Sequence, residues 1–147
     1  METIGKYNAA IYRVSQSMMN YKLRDLDIRS GQHDFFYVIS KNEGISQKEL
    51  SNLLYIGKST TTKAVKNLMD SGYITREQDP DDKRYYRLYL TEKGKQVAPK
   101  IEATFLEMID IFTKDLSGNE GEQTLNGLKK ILNRLYEEKS KISADID

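Results

Sequence analysis

Cysteine is absent from these 147 residues, and histidine occurs once, at His33. The first absence excludes a disulfide frame, a thiol sensor and a cysteine metal site. The second argues against a zinc or iron centre built from imidazoles, so no metal is expected. No stretch approaches the roughly 20 apolar residues of a membrane span. The N-terminal METIGKYNAAIYRVSQSMMNYK also lacks the apolar run of about 7 to 15 residues that a signal peptide needs. The expected location is the cytoplasm, with no membrane partner. An excess of charge is missing too: 23 Lys and Arg stand against 22 Asp and Glu, for a formal net charge of +1. A nucleic-acid footprint must therefore be local rather than global. The chain carries no G-x-S-x-G, Walker loop, G-x-G-x-x-G or H-E-x-x-H, and nothing nominates a catalytic partner for His33. It reads as no enzyme, with no cofactor.

What is present is helical periodicity with narrow apolar stripes. Only 38% of the residues are hydrophobic and 31% are charged, a balance that leaves apolar surface for a second copy of the chain to bury. Ile4, Tyr7, Ile11, Val14, Met18 and Tyr21 recur at steps of three and four, one face of a helix about six turns long. A second helix has Phe35, Phe36, Val38 and Ile39 as core positions and Gly44 as its stop. In ISQKELSNLL, Ser46 and Glu49 form a capping box, with Leu50, Leu53 and Leu54 placed inside. Gly57 is the expected hinge before a helix from Ser59 to Gly72, whose inward positions are Thr61, Ala64, Val65, Leu68 and Met69. Two helices joined in this way describe a helix-turn-helix.

From Tyr73 the period changes from 3.6 to 2, giving two strands around a turn at Asp79-Pro80-Asp81-Asp82, a wing. Two long helices follow, one through Ile101, Phe105, Met108, Ile109, Phe112 and Leu116, the other through Leu125, Leu128, Ile131, Leu132 and Leu135. Pro99 is a candidate kink in the first of them. The fold expected is mainly α with a small β-hairpin, in one domain. Residues 31–94 form the winged helix-turn-helix lobe, and residues 1–30 and 95–147 the dimerisation helices.

Function points to the outward face of the Ser59 to Gly72 helix. Ser59, Thr60, Lys63, Lys66 and Asn67 share one side at helical spacing, with Thr62 on the flank. Small hydroxyls permit close approach to DNA, lysines attract phosphate, and Asn67 has the amide that reads adenine. A plain solvated face would contain the same residue types, yet three consecutive threonines are poor helix formers and such a face has little reason to select them. In the wing, Lys83, Arg84 and Arg87 stand where the chain returns. A guanidinium at a hairpin tip suits the narrow, strongly negative minor groove. Asp82, two residues before Arg84, is placed to orient it. Charged residues on a hairpin also serve simply to protect an edge strand. His33 reads as a cap or a partly buried core histidine. Tyr12, His33 and Tyr37 are polar aromatics near the junction of the lobe with the terminal helices.

These segments resemble the MarR family of winged-helix transcription regulators over nearly the whole chain. DDKRYYRLYLTEKG is similar to the family's wing signature, with Asp82, Arg84, Leu88, Leu90, Thr91 and Gly94 at the matching positions. ISQKELSNLL and KSTTTKAVKNLMDSGYITRE resemble its DNA-reading helices. Lys63 departs from the pattern, which often has arginine there; lysine lacks the bidentate fork and favours a phosphate contact over base reading. The resemblance implies a homodimer with intertwined first and last helices. It would be a repressor on a pseudo-palindromic operator in double-stranded DNA, released by a small aromatic or anionic effector. The alternative is a helical dimer with a degenerate winged helix, acting as a protein-interaction module.

Overall fold

The computed structural model describes residues 1–29 and 31–142. Its elements in chain order are α1 (Ile4–Lys22), α2 (His33–Lys41), β1 (Ile45–Ser46), α3 (Gln47–Leu54), α4 (Lys58–Asp70), β2 (Ile74–Gln78), β3 (Tyr86–Leu90), α5 (Glu92–Thr113) and α6 (Glu120–Ile142). Contacts divide the chain into a first unit, Met1–Leu106, and a second from Glu107 to the end of the described residues. Among the described residues, no helix is long and apolar enough to cross a membrane.

In the first unit, α2, α3 and α4 pack on one another and on the sheet. Phe36, Ile39, Leu50, Val65, Leu68 and Leu88 are fully buried there. The capping box forms: Ser46 Oγ accepts from the Glu49 amide at 3.1 Å, and Glu49 Oε2 accepts from the Ser46 amide at 3.1 Å. Those two bonds satisfy amides that a helix start leaves without partners. Gly44 and Gly72, the expected stops, have φ of 92° and 82°, values that favour glycine.

Four local expectations need correction. The sheet has three strands in the order β1-β3-β2, because Ile45 and Ser46 pair antiparallel with Leu88 and Arg87. A strand of two residues shows no period in sequence. The connection from β2 to β3 spans residues 79–85, not the four residues from Asp79 to Asp82. Between α3 and α4 the left-handed residue is Tyr55, at φ 55°, while Gly57 has φ −68° and serves as N-cap of α4. Lastly, Leu53 points outward, 57% exposed, because α3 has only eight residues and buries only Leu50.

The long helices contrast with this core. α5 begins at Glu92 and runs on through Pro99 to Thr113. Ile101 and Met108 on it are buried, and Tyr37 stacks on Phe105 with centroids 4.4 Å apart. On α1, Met19 is buried, but the stripe of Ile4, Tyr7, Ile11, Val14 and Tyr21 is exposed. α6 buries none of its residues, although Leu125, Leu128, Ile131 and Leu135 recur along it.

Candidate nucleic-acid interface

The exposed face of α4 carries the small hydroxyls and lysines. Ser59, Thr60, Thr62, Lys63 and Lys66 are exposed, and Asn67 is half-buried. The three threonines divide according to helical position. Thr61 faces inward, where its Oγ1 donates to the Gly57 carbonyl at 3.0 Å and accepts from Ser51 Oγ at 2.7 Å, joining α4 to α3. Thr62 remains outside, its hydroxyl donating to the Lys58 carbonyl at 2.9 Å. Lys66 reaches Asp70 one turn on at 3.1 Å. An exposed pair at this spacing is weak and easily exchanged for a phosphate.

The wing is organised by Asp79. Its Oδ1 accepts from the amides of Asp81 at 2.8 Å and Asp82 at 3.3 Å, and its backbone amide donates to the Tyr85 carbonyl at 2.9 Å. Arg84 then projects from the turn with its side chain 82% exposed. Asp82 holds it in a fork: Arg84 Nε donates to Oδ1 at 3.0 Å and an Nη to Oδ2 at 2.8 Å. The Arg84 amide donates to the same Oδ1 at 3.1 Å. The Arg84 side chain holds the Asp82 carboxyl below its ordinary range, and Asp82 in turn raises the guanidinium. Both residues lie in the connection between β2 and β3, so the pairing is made within a turn. Lys83 is exposed beside it.

Arg87, expected among the DNA-facing residues, has its guanidinium turned to an internal task. Its Nε donates to Asp79 Oδ2 at 2.8 Å, and an Nη donates to the Gly44 carbonyl at 2.8 Å. Position 87 is on the central strand β3, so its arginine can brace the wing turn against the segment entering β1. Asp79 is buried, and its carboxyl is held below the usual range, first by the Asp81 amide, then by the Asp82 amide and by Arg87. A depressed folded pKa contributes stability that is complete above the unfolded value of about 3.9 and is lost as pH falls through the folded one. Asp79→Asn should therefore melt below the parent at neutral pH. The gap should close on acidification from about pH 4 downward; circular dichroism melts across pH check this, and a gap constant down to about pH 2 would contradict it.

His33 is the first residue of α2 and is buried; the N-cap itself is Gln32. Burial lowers its pKa, so it stays neutral at ordinary pH. Tyr12 is 59% exposed. Among the described residues no group of three His, Cys, Asp or Glu is arranged to hold a metal.

Residues that sequence spacing did not assemble lie between α3 and the wing. Lys48, Lys58, Arg76, Tyr85 and Tyr86 line a groove there together with Arg84. Nothing short-range in the sequence joins positions 48, 58, 76 and 84.

The sequence model of the MarR family matches residues 25–84. Over 86% of its length the chain is 28% identical to the uncharacterized HTH-type transcriptional regulator YybA of Bacillus subtilis, covering 87% of it. Among solved structures it is similar to a MarR transcriptional regulator from Methanosarcina mazei. That likeness has 33% identity and a TM-score of 0.76, over 91% of this chain and 96% of the other. It is also similar, at 28% identity and a TM-score of 0.84, to a protein from Listeria monocytogenes described as a MarR-family regulator complexed with a 26mer DNA. There 94% of this chain and 92% of the other are covered.

Proposed function

This chain belongs to the MarR family of transcriptional regulators, and we propose that it binds double-stranded DNA as a homodimer and represses by occupying a pseudo-palindromic operator. The observation that carries this reading is the pairing of two exposed features in one lobe: the hydroxyl and lysine face of α4 and the forked, outward Arg84. α4 enters the major groove with Ser59, Thr60, Thr62, Lys63, Lys66 and Asn67. Arg84, oriented by Asp82, reaches the adjacent minor groove beside Lys83. Such a protein acts in the cytoplasm, where its DNA is, and performs no catalysis. A small aromatic or anionic effector would set its occupancy.

The homodimer rests on surface left uncovered. Leu125, Leu128 and Leu135 on α6 are 53%, 43% and 60% exposed, and Ile11 on α1 is 52% exposed. A leucine moved from water to a packed interior contributes about 1.5 to 3 kcal/mol, so these stripes favour a second copy strongly. Leu128→Glu is expected to yield a monomer in sedimentation equilibrium and to weaken operator binding at least 100-fold, roughly the contribution of a second half-site. A dimeric Leu128→Glu protein would remove α6 from the proposed interface.

Gel-shift titration with the DNA flanking its own gene, at two salt concentrations, tests the whole reading. Saturable binding that weakens with salt is expected. Absent or salt-insensitive binding would favour a protein-interaction module instead.

A further inference from the structure

The groove between α3 and the wing, about 570 Å³ in volume, gathers positive charge. Lys48, Lys58, Arg76 and Arg84 line it, and none of its lining residues is acidic. A chain whose formal charge is only +1 has thus gathered four cations around one concavity. Like charges facing each other across a groove repel, and low-dielectric walls focus the resulting field.

Three of the four have no anion of their own. Arg84 has Asp82, but among the described residues Lys48, Lys58 and Arg76 form no ion pair. Lys58 is the first residue of α4, the first turn of which contains no acidic residue. A cation there opposes the helix dipole, which favours negative charge at that end. Arg76 is held in place: its guanidinium carbon lies 4.3 Å from the centroid of the Tyr86 ring. That contact crosses from β2 to β3 between diagonal neighbours, and it leaves the guanidinium edge available to a ligand. Tyr85 and Tyr86 add phenol groups to the wall.

We propose that this groove seats a sugar–phosphate segment of the bound DNA, with Lys48, Lys58 and Arg76 as its phosphate ligands. The proposal rests on the DNA-binding reading and adds residues outside the α4 face and the wing tip. The backbone strand separating the major groove from the minor would run between the two reading elements, and its charge would relieve the repulsion among the groove's cations. Contacts of this kind fix register on the duplex and contain no sequence information.

The test is the salt dependence of binding, measured by fluorescence anisotropy on the operator and on an unrelated duplex. Lys48→Ala, Lys58→Ala and Arg76→Ala should each lower the slope of log K against log salt by about 1.8, because each change removes two phosphate contacts from a homodimer at about 0.9 apiece. The triple variant should lose roughly three times as much, with operator and unrelated duplex weakened by the same factor. Arg76→Lys keeps the charge and should keep the parent slope. Melting curves matching the parent establish that the variants fold. A parent slope in the triple variant would overturn the proposal, as would a loss confined to the operator. A parent protein with no salt-dependent binding would instead overturn the DNA reading beneath it.

Discussion

Arg84→Ala is expected to weaken operator binding by about one to two orders of magnitude while leaving the dimer and its melting temperature unchanged. Both halves follow from where the side chain lies. At 82% exposure the Arg84 side chain fills no cavity, and its pairing with Asp82 is at the surface, where such pairs add little to folding. The same exposure makes it available to DNA. Asp82 holds the guanidinium by two bonds, of 3.0 and 2.8 Å, so little side-chain freedom remains to be lost when a groove receives it. Arg84→Lys should restore only part of the affinity, because an ammonium cannot reproduce the fork and is more strongly hydrated than a guanidinium on entering a narrow groove. Anisotropy titrations at fixed salt, beside thermal melts, read both outcomes. Parent affinity in Arg84→Ala would remove the wing from the interface.

Gly94→Ala is expected to be the most damaging single-methyl change. A Cβ at position 94 would lie 2.2 Å from the Tyr73 carbonyl oxygen and 3.2 Å from its carbon. The obstacle is backbone, so no rotamer change relieves it. Nor is Tyr73 free to withdraw. It is buried, its carbonyl accepts from the Thr91 amide at 3.1 Å, and its hydroxyl accepts from the Asp27 amide at 3.0 Å. Around it, Thr91 Oγ1 donates to the Gly72 carbonyl at 2.6 Å, and Lys93 Nζ donates to the Ser71 carbonyl at 2.6 Å. The last residues after α4 are thus clamped to the first turn of α5. Overpacking a tight site costs about 1 to 3 kcal/mol and sometimes more, and this one belongs at the upper end. A fall in melting temperature of roughly 6 to 12 °C is expected, taking about 2 to 4 °C per kcal/mol. Operator affinity should fall with it, since the displaced segment anchors the C-terminal end of α4. A parent melting temperature would show that α4 and α5 can part without cost.

Most of the element plan was readable because its signals are local. The Ser46 and Glu49 capping box, the stop at Gly72 and the change of period after Tyr73 each depend on neighbours within a few residues. The misses have physical causes of their own. β1 has two residues and owes its existence to β3, more than 40 positions away in the chain. The left-handed turn fell on Tyr55 although Gly57 was nearby, because the α3 C-terminus closes through the Tyr55 and Ile56 amides onto Asn52 and Ser51. Leu53 looked like core by spacing, but a two-turn helix has only a short line of contact to offer.

The charged residues divide along the same boundary. Sequence alone determined that α4 would present hydroxyls and lysines on one side, because helical spacing assigns faces whatever the helix packs against. It also placed an aspartate two residues before an arginine at the wing tip, where the first could orient the second. Only the tertiary structure decided which cations remain available to a ligand. Arg87 is consumed by Asp79, eight residues back, and by the Gly44 carbonyl, 43 residues back, whereas Lys48, Lys58 and Arg76 converge from three elements on one groove. A charge's partner is set by distance in space, and distances between residues far apart in the chain exist only once the core has folded.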